Sequence, residues 1–316
     1  MADIACLGIL VADLVGRPID TLPPVGRLGL VDEISLHIGG CASNTGIDLV
    51  RLGVSTTVLG QVGRDGLGDF VVQTLERESV DIRGLRRSSE TLTSASMVLV
   101  NGEGERTFLH NMGGNACYRE EDVDWDVLAG ARILHMAGAL VMPALDGEPM
   151  ARVLDRARTN GMATSLDTVW DATGRWLGVL RPCLAKLDYI MPSLAEARQL
   201  TGLHEAADIA HFLHDEGVGT VCLKLGEDGC YVSDPSGSVQ VPIYRVTAVD
   251  GTGSGDAWAA GFLLGAFRGW DIERSARFAN AVGALCVSAV GATTGVRTYA
   301  DTLDFMESTP LDGRGS

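Results

Sequence analysis

The sequence predicts a doubly wound α/β fold with a mostly parallel sheet and a small accessory β-sheet. Short aliphatic or β-branched runs alternate with longer helical stretches along most of the chain, the mark of repeated βαβ units. Several of those runs end in Gly or a polar residue, as strands do in an open parallel sheet. Two segments break the rhythm, residues 11–40 and 94–110, and both read as extended insertions. The length, 316 residues with 46% hydrophobic content, suits one domain over 1–316 with these two insertions inside it.

DIACLGIL (3–10) is the first strand. Residues 11–40 carry RPIDTLPPVGRLG and then alternate in VDEISLHIGG. ASNTGIDLVRL (42–52) is a helix that stops at Gly53, followed by the strand TTVLGQVG (56–63) and a helix over 65–80. SASMVLVNGEGERTFLH (94–110) is a hairpin around a glycine-containing turn. RILHMAG, GMATSLD, LDYIMP and GTVCLKLG are central strands, with VLDRARTNG and AEARQLTG helical between them. An apolar strand from Val246 is expected to run into DGTGSGD, with an apolar helix after it. Residues 278–296 read as a buried helix and its exit loop, and the tail LDGRGS is expected to fray. The two insertions together make a small sheet standing over a ligand site as a lid.

The charge balance, 25 Lys+Arg against 41 Asp+Glu, gives −16, which argues against a nucleic-acid partner. A phosphate-bearing ligand must then be held by local devices: a helix N-terminus, a few basic side chains or a metal. Aromatics are only 5% and Gly numbers 40, so the core is aliphatic and the turns tight. The start carries Asp3 and Asp13 in its apolar run and reads as neither a secretory leader nor a membrane span. Seven scattered cysteines without a C-x-x-C pair read as reduced thiols, so a cytoplasmic location is expected.

The chemistry concentrates in VTAVDGTGSGDAWAAGFLLGAF (246–267). Gly253, Ser254 and Gly255 lack large side chains, so their N–H groups can converge on an anion at the positive end of the helix. Asp256 follows in the first turn, where a carboxylate beside a phosphate is costly unless it accepts the proton of an attacking hydroxyl. The alternative is an acidic residue that merely favours the helix dipole. No G-K-[ST] closes a Walker A loop here, and the first strand lacks G-x-G-x-x-G, so a dehydrogenase is a poor fit.

The chain resembles the PfkB, or ribokinase-like, family of carbohydrate and nucleoside kinases. Asp250-Gly251-Thr252-Gly253-Ser254-Gly255-Asp256 is similar to that family's C-terminal signature. GGCASNTGIDLVRLG (39–53) is similar to its N-terminal one, with GQVGRDGLGDF, GERTF and KLGEDGCYV in family order between them. The match spans about residues 4 to 300. The resemblance implies an α/β/α sandwich with a β-sheet lid, ATP as phosphoryl donor, Mg2+, and Asp256 as catalytic base beside a Gly253–Gly255 anion hole. Asp would serve mainly to orient the hydroxyl, because a loose transition state needs the proton removed only late.

On the acceptor side Asp13, Gly39, Gly40 and Asn44 match substrate-contacting positions, and Arg106 reaches the site only if the lid closes. On the nucleotide side the resemblance gives Lys224, Gly226, Gly229 and Asn280. Glu196 would help place Mg2+, usually through water, while Asp250 and Thr252 with carbonyls near 286–295 resemble a monovalent-cation site, which raises potassium activation.

Four positions depart from the family pattern. Ser193 stands where the family often has Asn, Cys41 where ribokinases usually have Lys, and Gly251 and Ser254 where Thr and Ala are common. Asp167, at a predicted strand end, either faces the triphosphate and Mg2+ or caps the next segment.

The acceptor expected is a small free sugar or sugar-like polyol, with a nucleoside second, a phosphosugar third and a non-catalytic relative last. A nucleoside needs aromatic or apolar stacking; residues 11–40 hold no Phe, Tyr or Trp, though Phe108, Trp170 or Trp176 could supply it. A lid with one exposed apolar face predicts a homodimer paired through it.

Overall fold

The computed structural model describes residues 2–312. The chain opens with β1 (Ile4–Gly8), β2 (Val11–Arg17), β3 (Glu33–Gly39), α1 (Cys41–Arg51), β4 (Thr56–Gly63) and α2 (Gly66–Arg77). Next come β5 (Leu85–Ser88), β6 (Ala95–Val100), β7 (Arg106–Asn111), α3 (Trp125–Leu128), β8 (Ile133–Ala139), α4 (Glu148–Thr159) and β9 (Ala163–Thr168). Then follow α5 (Leu177–Leu184), β10 (Tyr189–Ile190), α6 (Leu194–Thr201), α7 (Ala206–Asp215) and β11 (Thr220–Lys224). The C-terminal part holds β12 (Cys230–Asp234), β13 (Gly237–Val241), α8 (Ser254–Phe267), α9 (Ile272–Val287) and α10 (Tyr299–Ser308).

The main sheet runs β13-β12-β11-β10-β9-β8-β1-β4-β5, with only β12 and β13 antiparallel. Its strands alternate faces, so IACLG sends Ala5 and Leu7 into one core and Ile4 and Cys6 into the other. The first core is closed by α4, α5, α6 and α7, the second by α1, α2, α8 and α9. Both faces are thus covered, as a parallel sheet requires, and the architecture is the three-layer α/β/α sandwich. Helix α8, SGDAWAAGFLLGAF, is apolar nearly all round because it lies wholly inside, against α1 and α9.

The lid is a separate four-stranded sheet, β3-β2-β6-β7, built from both insertions. β2 pairs antiparallel with β3 and parallel with β6, and β6 pairs antiparallel with β7.

Three expectations are corrected. No strand forms over 246–250: the segment is an irregular rim, and the amides of Val249 and Asp250 both donate to the carbonyl of Val287. LDYIMP shortens to the two-residue β10. In the tail, Leu311 bridges to Tyr244 and the Asp312 amide donates to Ile243 at 2.7 Å, so these two residues are held; Gly313–Ser316 lie outside the described residues. Among the described residues no helix is long and apolar enough to cross a membrane.

Candidate active site

The loop 250–253 delivers the chain into α8 at an angle only glycine permits. Gly253 has φ +75°, and a Cβ there would stand 2.3 Å from the carbonyl oxygen of Ala292. Asp250 braces the same loop: its carboxylate accepts from the amides of Thr252 at 2.8 Å and Gly291 at 2.9 Å. In an α-helix the first amides have no acceptor within the helix, so those of Gly255 and Asp256 are left for a ligand.

Asp256, in the first turn of α8, is met from α1 by Asn44, whose Nδ2 donates to Oδ2 at 2.8 Å. Burial raises the Asp256 pKa above the ordinary carboxylate value, while the Asn44 bond and the charge of Lys224 oppose that rise. Asn44 is itself buried, and its Oδ1 has no protein partner among the described residues.

Lys224, at the end of β11, is a largely buried cation, with 14% of its side chain exposed. Its Nζ donates to both oxygens of Asp167, at 2.8 and 2.9 Å, and lies 3.2 Å from where a Cβ on Gly255 would stand. Burial pushes the Asp167 carboxyl up to about 7, with Lys224 working against it and Glu196 and Asp256 adding like charge. For Lys224 burial acts to lower its pKa, but the surrounding carboxylates outweigh it and hold the ammonium protonated. Asp167 is thus the partner of Lys224, and its Oδ1 also accepts from the Thr168 amide at 2.8 Å.

Glu196 and Ser193 form a capping box at the start of α6. The amide and hydroxyl of Ser193 donate to Glu196 Oε2 at 2.8 and 2.7 Å, and the Thr168 hydroxyl donates to the same oxygen at 3.1 Å. Serine in place of the family Asn therefore holds the carboxylate from its own helix cap.

Two cavities flank the loop that enters α8, one reaching Ser254 and Gly255 and the other Asp250 and Thr252. One, of about 300 Å³, is lined by Lys224, Gly226, Gly229, Tyr244, Trp258 and Asn280, with Ser254 and Gly255 at its end. Gly226 and Gly229 both take positive φ in the turn between β11 and β12. Asn280 lines this cavity, but its amide is already spent: Oδ1 accepts from Trp258 Nε1 at 2.8 Å and Nδ2 donates to the Val241 and Pro242 carbonyls. Asn280 therefore stands in the wall of the cavity with its amide braced by protein groups.

The second cavity, of about 200 Å³, lies between the inner face of the lid and the loops 249–252 and 290–292. Asp13 lines it, close-packed on Gly39: a Cβ on Gly39 would fall 2.1 Å from Asp13 Oδ2. Gly40 has φ +92°, and a Cβ there would stand 2.5 Å from the Ile9 carbonyl, so the Gly-Gly pair is dictated by close approach. Burial raises the Asp13 pKa, opposed by a hydrogen bond from Ser96 and the nearby His110 and His37.

Arg106 lines this cleft too, and its guanidinium sits 2.5 Å from Asp250 Oδ1. Burial acts to raise the Asp250 pKa, but the bonds from Gly291, Thr252 and Arg106 outweigh it and hold the carboxyl below its ordinary value. The carboxylate assigned to a monovalent cation therefore already has an arginine on it. His37 and His110 escaped the sequence reading; strand alternation puts His37 on the same face as Ser35, but only the strand register sets both histidines beside Asp13.

Comparison with known proteins gives the family. The pattern of the pfkB family carbohydrate kinase matches residues 1–298, and the chain belongs to that family. It is an ATP-dependent carbohydrate kinase. It is 27% identical over 295 residues to the 2-dehydro-3-deoxygluconokinase of Bacillus subtilis, covering 90% of each chain. It is 32% identical over 276 residues to the ATP-dependent ribose-1-phosphate kinase of Halopiger xanaduensis, covering 87% of this chain and 88% of that one. In fold it is similar to an E. coli Ribokinase II in complex with ATP and Mg2+, with TM-score 0.85, 23% identity and coverage of 97% and 99%.

Proposed function

We propose that this kinase transfers the γ-phosphoryl group of Mg·ATP to a hydroxyl of a small, unphosphorylated sugar or sugar-like polyol. The observation that carries the reading is the Asn44–Asp256 contact: a carboxylate in the first turn of α8, held by the amide of a buried Asn from α1. ATP would lie in the 300 Å³ cavity, its adenine against Tyr244 and Trp258 and its phosphates toward Lys224 and the Gly253–Gly255 backbone. The acceptor would lie under the lid, on Asp13, Gly39, Gly40 and Asn44. The orphaned Asn44 Oδ1 is an acceptor awaiting a hydroxyl hydrogen.

In the reaction the acceptor oxygen bonds to the γ-phosphorus, the bond to the bridging oxygen of ADP breaks, and the hydroxyl proton passes to Asp256. Asp256 orients that hydroxyl, and the α8 amides stabilise charge on the transferring group. Among the described residues no three His, Cys, Asp or Glu side chains form a metal cage, which fits Mg2+ carried in by phosphate and waters rather than by protein alone. Glu196 and Asp167 are the carboxylates near enough to Lys224 to meet that hydrated ion. Mg2+ would neutralise phosphate charge.

An unphosphorylated acceptor is favoured because the two arginines in the cleft are already paired, Arg17 with Glu33 and Arg106 with Asp250. For potassium, Asp250 and Thr252 would be the site, in competition with Arg106. Equal rates in sodium-only and potassium buffers would remove that reading. A homodimer is supported by the outer lid face, where Leu14, Ile34, Met97 and Leu109 are exposed together. A monomeric mass by light scattering would refute it. All seven cysteines are free thiols, which supports a reducing, cytoplasmic setting.

The test is a coupled ADP-release assay with Mg·ATP across free sugars, sugar acids, polyols, nucleosides and phosphosugars, with Asp256→Asn as control. Acceptor-dependent release that falls at least about 10²-fold in Asp256→Asn, with ATP binding kept, is expected. Unchanged turnover in that variant would sink the mechanism.

A further inference from the structure

We propose that Asp48 is a positioning residue of the phosphoryl-transfer centre, an uncharged carboxyl group beside Asp256 that leaves the centre one negative charge and shuts it down on losing its proton. The proposal rests on Asp256 being the base, as proposed above.

Cys41, Asn44, Thr45 and Asp48 follow one another at three- and four-residue spacing, so they share one face of α1, the helix that packs on α8. Three of the four are tied to Asp256. Asn44 Nδ2 donates to Oδ2 at 2.8 Å, the Cys41 thiol donates to the carboxylate, and the Thr45 hydroxyl donates to the Asp256 carbonyl at 3.4 Å. The fourth, Asp48, is fully buried, and both of its carboxyl oxygens lack a protein partner among the described residues. A buried polar group left in that state calls for a reason beyond packing.

The surroundings put Asp48 and Asp256 in one dry region. Cys6 of β1 and Cys286 of α9 both stand in the field of the two carboxyls. β4, packed on the same helix, brings no ionisable side chain. The cation facing Asp48 is Arg51 of its own helix, and that guanidinium is already engaged, with Glu78 at 2.9 Å and with the carbonyl of Thr293. Two carboxylates in one such region do not both carry charge unless donors satisfy both. The donors therefore decide where the charge sits. Asp256 has Asn44, Cys41 and the nearby Lys224; Asp48 has none, so the proton stays on Asp48. Burial pushes the Asp48 carboxyl well above its usual value, Asp256 and Glu78 add to the rise, and Arg51 opposes it.

With Asp48 uncharged, Asp256 keeps its own charge and is free to accept the hydroxyl proton. When Asp48 gives its proton to solvent at alkaline pH, a second negative charge enters the same region. Asp256 then binds its proton more tightly, and the phosphates of ATP meet more repulsion at the start of α8. Both effects oppose turnover, so the centre carries its own alkaline off-switch.

The experiment follows Mg·ATP binding by calorimetry, and ADP release with the best acceptor of the panel above, from about pH 6 to about pH 10. It is run on the natural protein, on Asp48→Asn and Asp48→Leu, which cannot ionise at this position, and on Asp48→Glu, which can. In the natural protein the dissociation constant of Mg·ATP should rise, and kcat should fall, by at least about threefold toward the alkaline end. Asp48→Asn and Asp48→Leu should lose this limb, and Asp48→Glu should restore it. The acid limb, which belongs to Asp256, should stay in place throughout, a separation that a purely structural role would not produce. Should one non-ionising variant fail to fold, the other decides. An alkaline limb kept without an ionisable group at position 48, or absent from the natural protein, overturns the role of Asp48 and leaves the kinase reading intact. If no acceptor releases ADP, the kinase reading fails on its own terms, and Mg·ATP binding decides by the same two criteria.

Discussion

Asn44 Nδ2 donates to Asp256 Oδ2 at 2.8 Å, joining α1 to α8 across 212 positions of sequence. A donor to the ionised carboxylate favours that form, so it holds the Asp256 pKa below where burial alone would put it. Only the ionised carboxylate accepts the hydroxyl proton. The acid limb of kcat/KM against pH therefore lies above the ordinary aspartate range, and Asn44→Ala should move it further toward neutral pH while lowering kcat. A limb that stays in place would separate the two residues functionally.

Gly253→Ala should be damaging out of proportion to a methyl group. The position combines φ +75° with an Ala292 carbonyl oxygen 2.3 Å from the new Cβ, and neither wall is a flexible side chain. A strained non-glycine residue costs on the order of 1–3 kcal/mol before the clash is counted. A fall in Tm together with a loss of turnover is expected; normal stability with normal kcat would mean the loop relaxes freely.

Arg106 ties the lid to the body through Asp250, and the pair is largely shielded on the Asp250 side, at 4% exposure. Arg106→Gln removes a charge-assisted contact that holds the lid over the acceptor cleft. Acceptor KM should rise about three- to tenfold while ATP KM stays within about twofold, since the nucleotide cavity does not include this residue. Steady-state kinetics with each substrate varied in turn gives the answer.

Asp48, on the buried face of α1, has both carboxylate oxygens without a protein partner among the described residues. Burial pushes its pKa well above the usual value; the Asp256 and Glu78 charges add to this and Arg51 works against it. A raised carboxyl binds its proton more tightly in the native state. Its stabilising contribution is full below the unfolded value of about 3.9 and is lost as pH rises toward the folded one. Asp48→Asn does not titrate, so its Tm relative to the natural protein should improve from pH 5 to pH 8. One proton limits the slope to about 1.4 kcal/mol per pH unit. A flat difference would show that Asp48 ionises as it does in water.

Much of this protein was legible in the sequence because it follows from local rules. The unbroken runs of apolar and small residues in IACLG and TTVLGQVG mark strands covered on both faces. The apolar run after DGTGSGD marks the buried helix α8, which begins at Ser254. Small residues at Gly39, Gly40 and Gly253 announce close approaches without naming what approaches. The expected strand at 246–250 failed because the segment is tied to a helix end instead of a sheet edge: the amides of Val249 and Asp250 both donate to the carbonyl of Val287.

What the tertiary structure alone decided are the pairings between residues far apart in the chain. Lys224 and Asp167 come from β11 and β9, with β10 between them in the sheet, 57 residues apart in the chain, and no local pattern foretells their contact. Asn280 looked like a ligand group, yet Trp258 and two carbonyls consume its amide. His37 and His110 reach Asp13 only through the register of four strands drawn from two insertions. Residue type and spacing determine what a side chain is able to do; the partners it meets in a packed, water-poor interior determine what is left for it to do.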